Sequence, residues 1–504
     1  MSIKDKLYGR ALGIFRSAKF FYVSIVVFAV QTSWLALSGL YSMAFDENYH
    51  LSIIRLYSDR FLPFWAQQPE GPAGFGAISR DPSYMYQYLL SFPYRLIELY
   101  VQSETIQVIL LRFISIALFI LGIILYRKVL LNAKCSKAMA NFVIAVFILT
   151  PVVPFLAVQI NYDNLLFPLV AGSLLLAQRF VRKLEAEKAI DAKALSILVI
   201  VCLFGSLVKY AFLPVFLGVF IFIGVKLVAF TQANSTKTLR ARILAGLTKI
   251  SKAQMIILVS LLLLFGGLFF ERYGINTLRY GTPTPECDQV LGIEKCQAYG
   301  SWLRNYQTRQ DKINGRLPAT SKDPINYTIT KWMKPMSNNL FYTLNGSSSN
   351  FKTGQPFMLI RVISVATIGV GSTLFVWWQR ELRKKFKLNL PITVMLVYTT
   401  TLWSQNYLDF LHVGMAVAIQ ARYLVPVLPI FYLLLGIGFA RLLQRRPEPK
   451  VILALTTFLI LITQGGGIGV YILRSDASWY WPNATVVRVN NATRNFLSNF
   501  TIGR

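Results

Sequence analysis

The chain has 504 residues, 55% of them hydrophobic and 14% aromatic, and a formal charge of +30. Apolar stretches recur at close to the ~20 residues that cross a bilayer, which excludes a soluble globular protein. In a polytopic membrane protein the first reading of such a charge is orientation, not nucleic acid.

The first apolar run, near 20–40, is followed by "YSMAFDENYH" instead of a small-residue cleavage site, so it is expected to be a retained span. Next comes "AFDENYHLSIIR" (44–55), which sets His50, one of only two histidines, beside Asp46 and Glu47. Residues 46–60 bring Leu51, Ile54 and Tyr57 to one helical face, predicting a helix along the outer membrane surface with Asp46, Glu47 and His50 crowded at its polar end. Acidic residues in a first turn are also what the helix dipole favours, so the pattern equally suits a structural start.

Further windows near 107–126, 139–159, 164–178, 195–208, 212–230, 254–270, 357–378, 389–404, 424–440 and 451–473 bring the expected number of spans to eleven, in an all-α chain. Alternate connections, such as "RFVRKLEAEKAIDAK" and "RELRKKFK", hold 29 of the 52 basic residues and are read as cytoplasmic. The opposite side holds 16 of the 22 acidic residues and the long segments 44–105, 271–356 and 475–504. The N-terminus is therefore expected inside and the C-terminus outside.

Cys135 falls in a cytoplasmic loop and Cys202 within a span, whereas Cys287 and Cys296 share the outer stretch "PECDQVLGIEKCQ". Those two either close a disulfide in an oxidising compartment or remain free thiols. There is no internal repeat and no Walker, Rossmann or zinc spacing, so nothing supports a nucleotide-driven cytoplasmic enzyme.

Other polar groups stand at the outer mouths of spans: Asp163 in "QINYDNLLF", Lys209 in "SLVKYAFLP" and Arg422 in "AIQARYLVPVLP". A charge near the bilayer centre costs about 2.5–3.5 kcal/mol on insertion scales and less near the interface, where Lys209 could simply snorkel. Arg422, between Gln420 and Tyr423, suits bidentate binding of phosphate. Carboxylates in an outer loop with cations one layer below describe a site for an anionic lipid-linked substrate.

With these residues in view, the chain resembles the integral-membrane glycosyltransferases of the C type (GT-C), which use polyprenyl-phosphate sugars as donors. The resemblance rests on "FDENYH" after the first span, a long first outer loop running into "RDPSYMYQYLLSFPYRLI", and a short second outer loop with an aspartate, "NYDNLLF". The segment "GMAVAIQARYLVPVLPI" is similar to the "QxRYxxPxxP" region of a large, mostly uncharacterised bacterial group. The resemblance covers roughly 1–270 and this late segment. The chain lacks the WWDYG-like signature of the oligosaccharyltransferase branch, which argues against transfer to asparagine, and adjacent Asp46 and Glu47 make no D-x-D spacing for a divalent metal.

The resemblance implies a GT-C-like membrane module over 1–270, with its first outer loop at 41–106, then an extracytoplasmic loop at 271–356 and four C-terminal helices and a tail over 357–504. It implies that Asp46 is the general base of an inverting transfer to an acceptor hydroxyl of a cell-envelope glycan, lipid or protein. Glu47 and His50 would assist it, and His50 could take the base role itself. Asp163, Arg80 and Tyr84 would support the acceptor, and Arg422, Lys209 and Tyr423 would bind the donor phosphate. No cofactor and no metal is indicated. The expected setting is a bacterial cytoplasmic membrane with the site facing out, surrounded by lipid and without nucleic acid. The alternatives are a transporter or flippase for a lipid-linked or anionic solute, and a non-catalytic assembly partner docking through "WLRNYQTRQDKINGR", whose Trp302, Arg304, Tyr306 and Arg309, read as exposed, also suit carbohydrate.

Overall fold

A computed structural model describes residues 3–65, 67–69, 73–316, 322–341, 358–443 and 447–501. The described residues form helices and no named strand, with one isolated bridge between Gly39 and Tyr480. Six helices are long and apolar enough to cross a membrane: Ala18–Ser38, Glu104–Asn132, Asp163–Ala186, Tyr210–Asn234, Lys252–Tyr280 and Val362–Lys385. The pair Lys137–Leu149 and Val152–Val158, bent by 71°, makes a seventh if counted as one span. The chain is a multi-pass membrane protein.

The other expected spans coincide with helices that fall short of this measure. Ala192–Val208 and Leu428–Leu442 have 17 and 15 residues. Asn389–Val413 is long enough but carries Gln405, Asn406, Asp409 and His412 in its last turns. The window at 451–473 is divided between Pro447–Thr463 and Gly469–Arg474 by a glycine-rich turn. Part of the loop at 271–356, namely 317–321 and 342–356, lies outside the described residues, as does Phe357 at the start of the window 357–378.

Side chains cap several helix starts in the basic connections. Ser17, Ser136, Asp191 and Ser251, all in basic connections, cap the helices that follow by accepting from Phe20 N, Met139 N, Ala194 N and Gln254 N. Glu185 pairs there with Lys226 and Lys387, and Asp191 with Arg179 and Lys183, so these connections share one end. At the other end the helices beginning at Glu47, Glu104, Asp163 and Leu213 have no side-chain cap bond. Leu40 N donates to Trp479 O (2.8 Å) and Trp481 N to Ser38 O (3.1 Å), which brings the C-terminal tail to this second end.

The helix after the first span runs from Glu47 to Ser58. Its apolar face does not lie on a membrane surface as expected. Leu51, Ile54 and Tyr57 are fully buried, because the amphipathic helix Met85–Tyr100 packs over them. Periodicity shows which face is apolar, but not what covers it.

The segment after the Lys252–Tyr280 helix folds around a disulfide between Cys287 and Cys296. Trp302 buries against it, stacks on Tyr306 at 4.8 Å and donates Nε1–H to Asp288 (3.1 Å), so it is not the exposed platform expected from the sequence. It shares a small buried cluster with Cys287, Cys296, Leu291, Tyr299, Leu303 and Tyr306. Arg309 meets His412, which docks this segment on helix Asn389–Val413.

Candidate functional site

The site is built where the chain leaves its first span. Phe45 and Asp46 both adopt left-handed backbone, with φ of 52° and 66°. Non-glycine residues rarely do so, and each such position costs on the order of 1–3 kcal/mol and persists only where its surroundings enforce it.

Buried polar groups enforce it here. Asn161 Nδ2 and Arg422 Nη1 both donate to Phe45 O, at 2.7 and 2.6 Å, and Ala44 N donates to Gln159 Oε1 at 3.1 Å. Glu47 is held by Arg112, which donates through Nε to Oε1 (2.9 Å) and through Nη2 to Oε2 (2.8 Å), with both side chains fully buried. Met43 N and Ile160 N also donate to that carboxylate, and Arg112 reaches the carbonyls of Ala36 and Gly39. Gln159 and Asn161 are delivered by the bent span, whose break at Thr150 and Pro151 turns the short helix Val152–Val158 toward the same end.

Asp46 occupies the N-cap position of its helix but makes no cap bond, and its side chain is 46% exposed. Its Oδ2 accepts from Arg422 Nη2 at 2.6 Å. Arg422 itself is buried, set in a 3-10 turn (Ala421–Leu424) before the helix Leu428–Leu442, with its guanidinium also near the rings of Phe45 and Tyr423. Beside it, Lys209 Nζ donates to Asp163 Oδ1 at 2.7 Å and lies over the rings of Tyr162 (4.3 Å) and Tyr423 (4.7 Å). Both partners are buried, so a snorkelling lysine does not describe Lys209.

Electrostatics follow from this arrangement. Partial burial alone would raise the Asp46 pKa, but the Arg422 guanidinium, and more weakly Lys209, outweigh it and hold the carboxyl below the usual carboxylate range. Burial pushes His50 down to about 3, against the pull of Asp46, so the ring is neutral. Lys209 is pushed down by burial to about 8, opposed by Asp163.

The structure thus joins Asp46, Arg422 and Tyr423, sets the Lys209–Asp163 pair against Tyr423, and brings His50 edge-on to Tyr162 at 4.4 Å. It places Arg80 and Tyr84 in different company. Arg80 pairs with Glu271 (2.9 Å), and Tyr84 lies under the buried guanidinium of Arg272, at the joint between the first outer loop and the Lys252–Tyr280 helix. Arg112, Gln159, Asn161, Gln87 and Asp81 were not singled out from the sequence. Asp81 lies at the edge of the site, where it accepts from Tyr49 (3.4 Å) and Ser83 N (2.8 Å), and burial raises its pKa. Among the described residues no three His, Cys, Asp or Glu side chains gather as a metal site would need.

No protein-family model and no curated protein matches the chain. Solved structures similar to it include the archaeal oligosaccharyltransferase AglB from Archaeoglobus fulgidus in complex with an inhibitory peptide and a dolichol-phosphate, at 12% identity over 96% of this chain and 60% of that one, with a TM-score of 0.45. The Archaeoglobus fulgidus oligosaccharyltransferase tethered to an acceptor peptide with the NVT sequon is another, at 15% identity over 93% of this chain and 56% of that one, with a TM-score of 0.44. This chain spans less than two thirds of the length of either structure.

Proposed function

We propose that this protein is an inverting GT-C glycosyltransferase, which moves a sugar from a polyprenyl-phosphate donor to an acceptor hydroxyl of a cell-envelope glycan, lipid or protein on the outer face of a bacterial cytoplasmic membrane. One observation carries the reading: a half-exposed carboxylate and a buried guanidinium, 376 residues apart in the chain, meet at 2.6 Å. A base open to water beside a planar cation suits transfer from a phosphate-linked donor.

In this reading Asp46 takes the proton of the acceptor hydroxyl as its oxygen bonds to the anomeric carbon. The bond from that carbon to the phosphate oxygen breaks, and its electron pair leaves on polyprenyl phosphate. Arg422 and Lys209 stabilise the charge that develops there, and Tyr423 lies between them. Asp163 holds Lys209, and Glu47 holds the loop that aims Asp46. The membrane module over 1–270, the loop at 271–356, the eleven crossings and the outward-facing site belong to the same proposal.

Purified protein in bilayers, given a radiolabelled polyprenyl-phosphate sugar and an envelope lipid extract, is expected to transfer label. Asp46→Asn should lower turnover by roughly 10²–10⁴ while donor binding survives. Asparagine keeps the size and tolerates the left-handed backbone. Full turnover in Asp46→Asn removes Asp46 as the base.

A further inference from the structure

Helix Met85–Tyr100 is apolar on two sides. Tyr86, Leu90 and Tyr94 are buried, on a helix that packs against Glu47–Ser58. Leu89, Phe92, Leu96 and Leu99 recur at spacings of three and four residues along another side, and all four are exposed. One apolar stripe is enough to hold a surface helix on its core, so the second stripe needs its own explanation.

A turn of the first outer loop adds to that exposed side. Phe61 and Leu62 are 81% and 68% exposed, yet the backbone that carries them is firmly held. Tyr88 Oη donates to Phe61 O at 2.6 Å. Arg95 donates to Tyr57 O at 2.9 Å and also to Arg60 O, and its guanidinium lies over the rings of both Phe61 (4.8 Å) and Phe92 (5.1 Å). Arg95 thus joins the turn to the exposed stripe as one patch, in which apolar side chains are fixed in the open.

The position of this patch says what covers it. Three residues separate the helix from the membrane-crossing helix Glu104–Asn132, and the junction is bonded: Gln107 Nε2 donates to Val101 O (2.7 Å) and Tyr94 Oη to Gln107 Oε1 (3.3 Å). On the crossing helix Ile106, Leu110, Phe113 and Leu121 form an exposed apolar face of their own. Two exposed apolar faces therefore meet at one fixed junction, and the second belongs to a span, where lipid is the solvent. Tyr100 stands at that junction 85% exposed, a side chain favoured at the boundary of membrane and water.

We propose that the exposed side of helix Met85–Tyr100, together with Phe61 and Leu62, is a membrane seat that lies in the lipid leaflet next to the candidate site. The occupant is the acyl and headgroup boundary of phospholipid, into which such a face sinks by about 5–10 Å. Because this helix packs on Glu47–Ser58, whose N-cap is Asp46, the seat sets the height of Asp46 relative to the headgroups. The proposal goes beyond the glycosyltransferase reading and does not depend on it.

Spin labelling tests the seat in the full-length protein. Cys135 and Cys202 are buried and the other two cysteines form the disulfide, so a label reports the one cysteine introduced. Phe61→Cys, Leu96→Cys and Leu99→Cys are labelled in phosphatidylcholine vesicles, with Leu121→Cys on the span and exposed Arg304→Cys as lipid and water references. Collisions with molecular oxygen, which concentrates in lipid, and with a neutral nickel chelate, which stays in water, are then compared. At all three positions oxygen is expected to dominate over nickel, at a depth between the two references. Nickel dominating at any of the three, as at Arg304, overturns the seat. Low collision rates with both reagents mean that a second copy of the chain covers the patch, which also overturns it. Should Phe61→Cys fail to fold, Leu62→Cys reads the same turn. Loss of transfer activity in the unmodified protein would remove the enzyme reading and leave this result unchanged.

Discussion

Glu47 gives the sharpest separation between holding the site and doing its chemistry. Its Oε1 accepts from Arg112 Nε and Ile160 N, and its Oε2 from Arg112 Nη2 and Met43 N. Glu47→Gln keeps the volume, but one oxygen becomes an NH₂ that must face two donors. The substitution also leaves Arg112 as a buried cation facing only neutral acceptors, the remaining amide oxygen and backbone carbonyls. Removing one member of a buried pair costs about 3–5 kcal/mol, whereas replacing both by apolar groups of similar volume is often close to neutral. Glu47→Gln and Arg112→Met should each lower the thermal unfolding midpoint in detergent, followed by tryptophan fluorescence. Glu47→Leu combined with Arg112→Met should recover most of the loss. Turnover measured well below the new midpoint should fall far less than in Asp46→Asn. An unchanged midpoint in Glu47→Gln, with turnover down by ~10² or more as for a lost acid or base, would refute this assignment and put Glu47 into the chemistry.

Arg422→Lys keeps the charge, but one Nζ cannot replace both the bond to Phe45 O and the contact with Asp46. Loss of one charge-assisted bond should raise the donor KM roughly tenfold to a hundredfold, and unchanged donor affinity in both the Lys and Ala variants would move the phosphate clamp to Lys209. The pH dependence should be one-sided. With Asp46 held below the carboxylate range and His50 near 3, turnover should be flat across the mildly acidic range. It should fall as pH rises through about 8, where Lys209 loses its proton, and an alkaline limb that persists in Lys209→Arg would contradict this. A cysteine placed at Gln310 should react with an impermeant thiol reagent in intact cells and one at Ser235 should not; the reverse pattern would invert the topology.

How far the sequence reached is clearest residue by residue. The charge distribution grouped basic connections, and the Glu185 and Asp191 ion pairs bring three of them, around 179–193, 226 and 387, to one place. The pattern around "DENYH" set Asp46 and His50 together at one helix start, where the structure has them, because short-range spacing on one helix is legible locally. Arg112 was missed although its signal was present: an arginine inside the apolar run "VILLRFISIALF" requires a buried partner. Naming that partner needed a contact 65 residues away. Gln87 had no such signal, since one glutamine in an amphipathic helix looks solvated until the partner across the helix pair is known. The Cys287–Cys296 spacing allowed either a disulfide or two thiols, and the fold of the following segment around Trp302 resolves which.

The left-handed turn at Asp46 also narrows which residues could ever stand there. Aspartate and asparagine enter that region several times more readily than other side chains with a Cβ, because their short polar groups bond locally. Glutamate has the same chemistry but a longer chain and no such preference, so Asp46→Glu would meet a backbone penalty before its carboxylate reached Arg422. Of the residues the turn favours, aspartate alone brings an anionic base. Backbone geometry and chemistry thus select the same amino acid by independent routes, and a change of base at this position would require rebuilding 43–47 together with Arg112, Asn161 and Arg422.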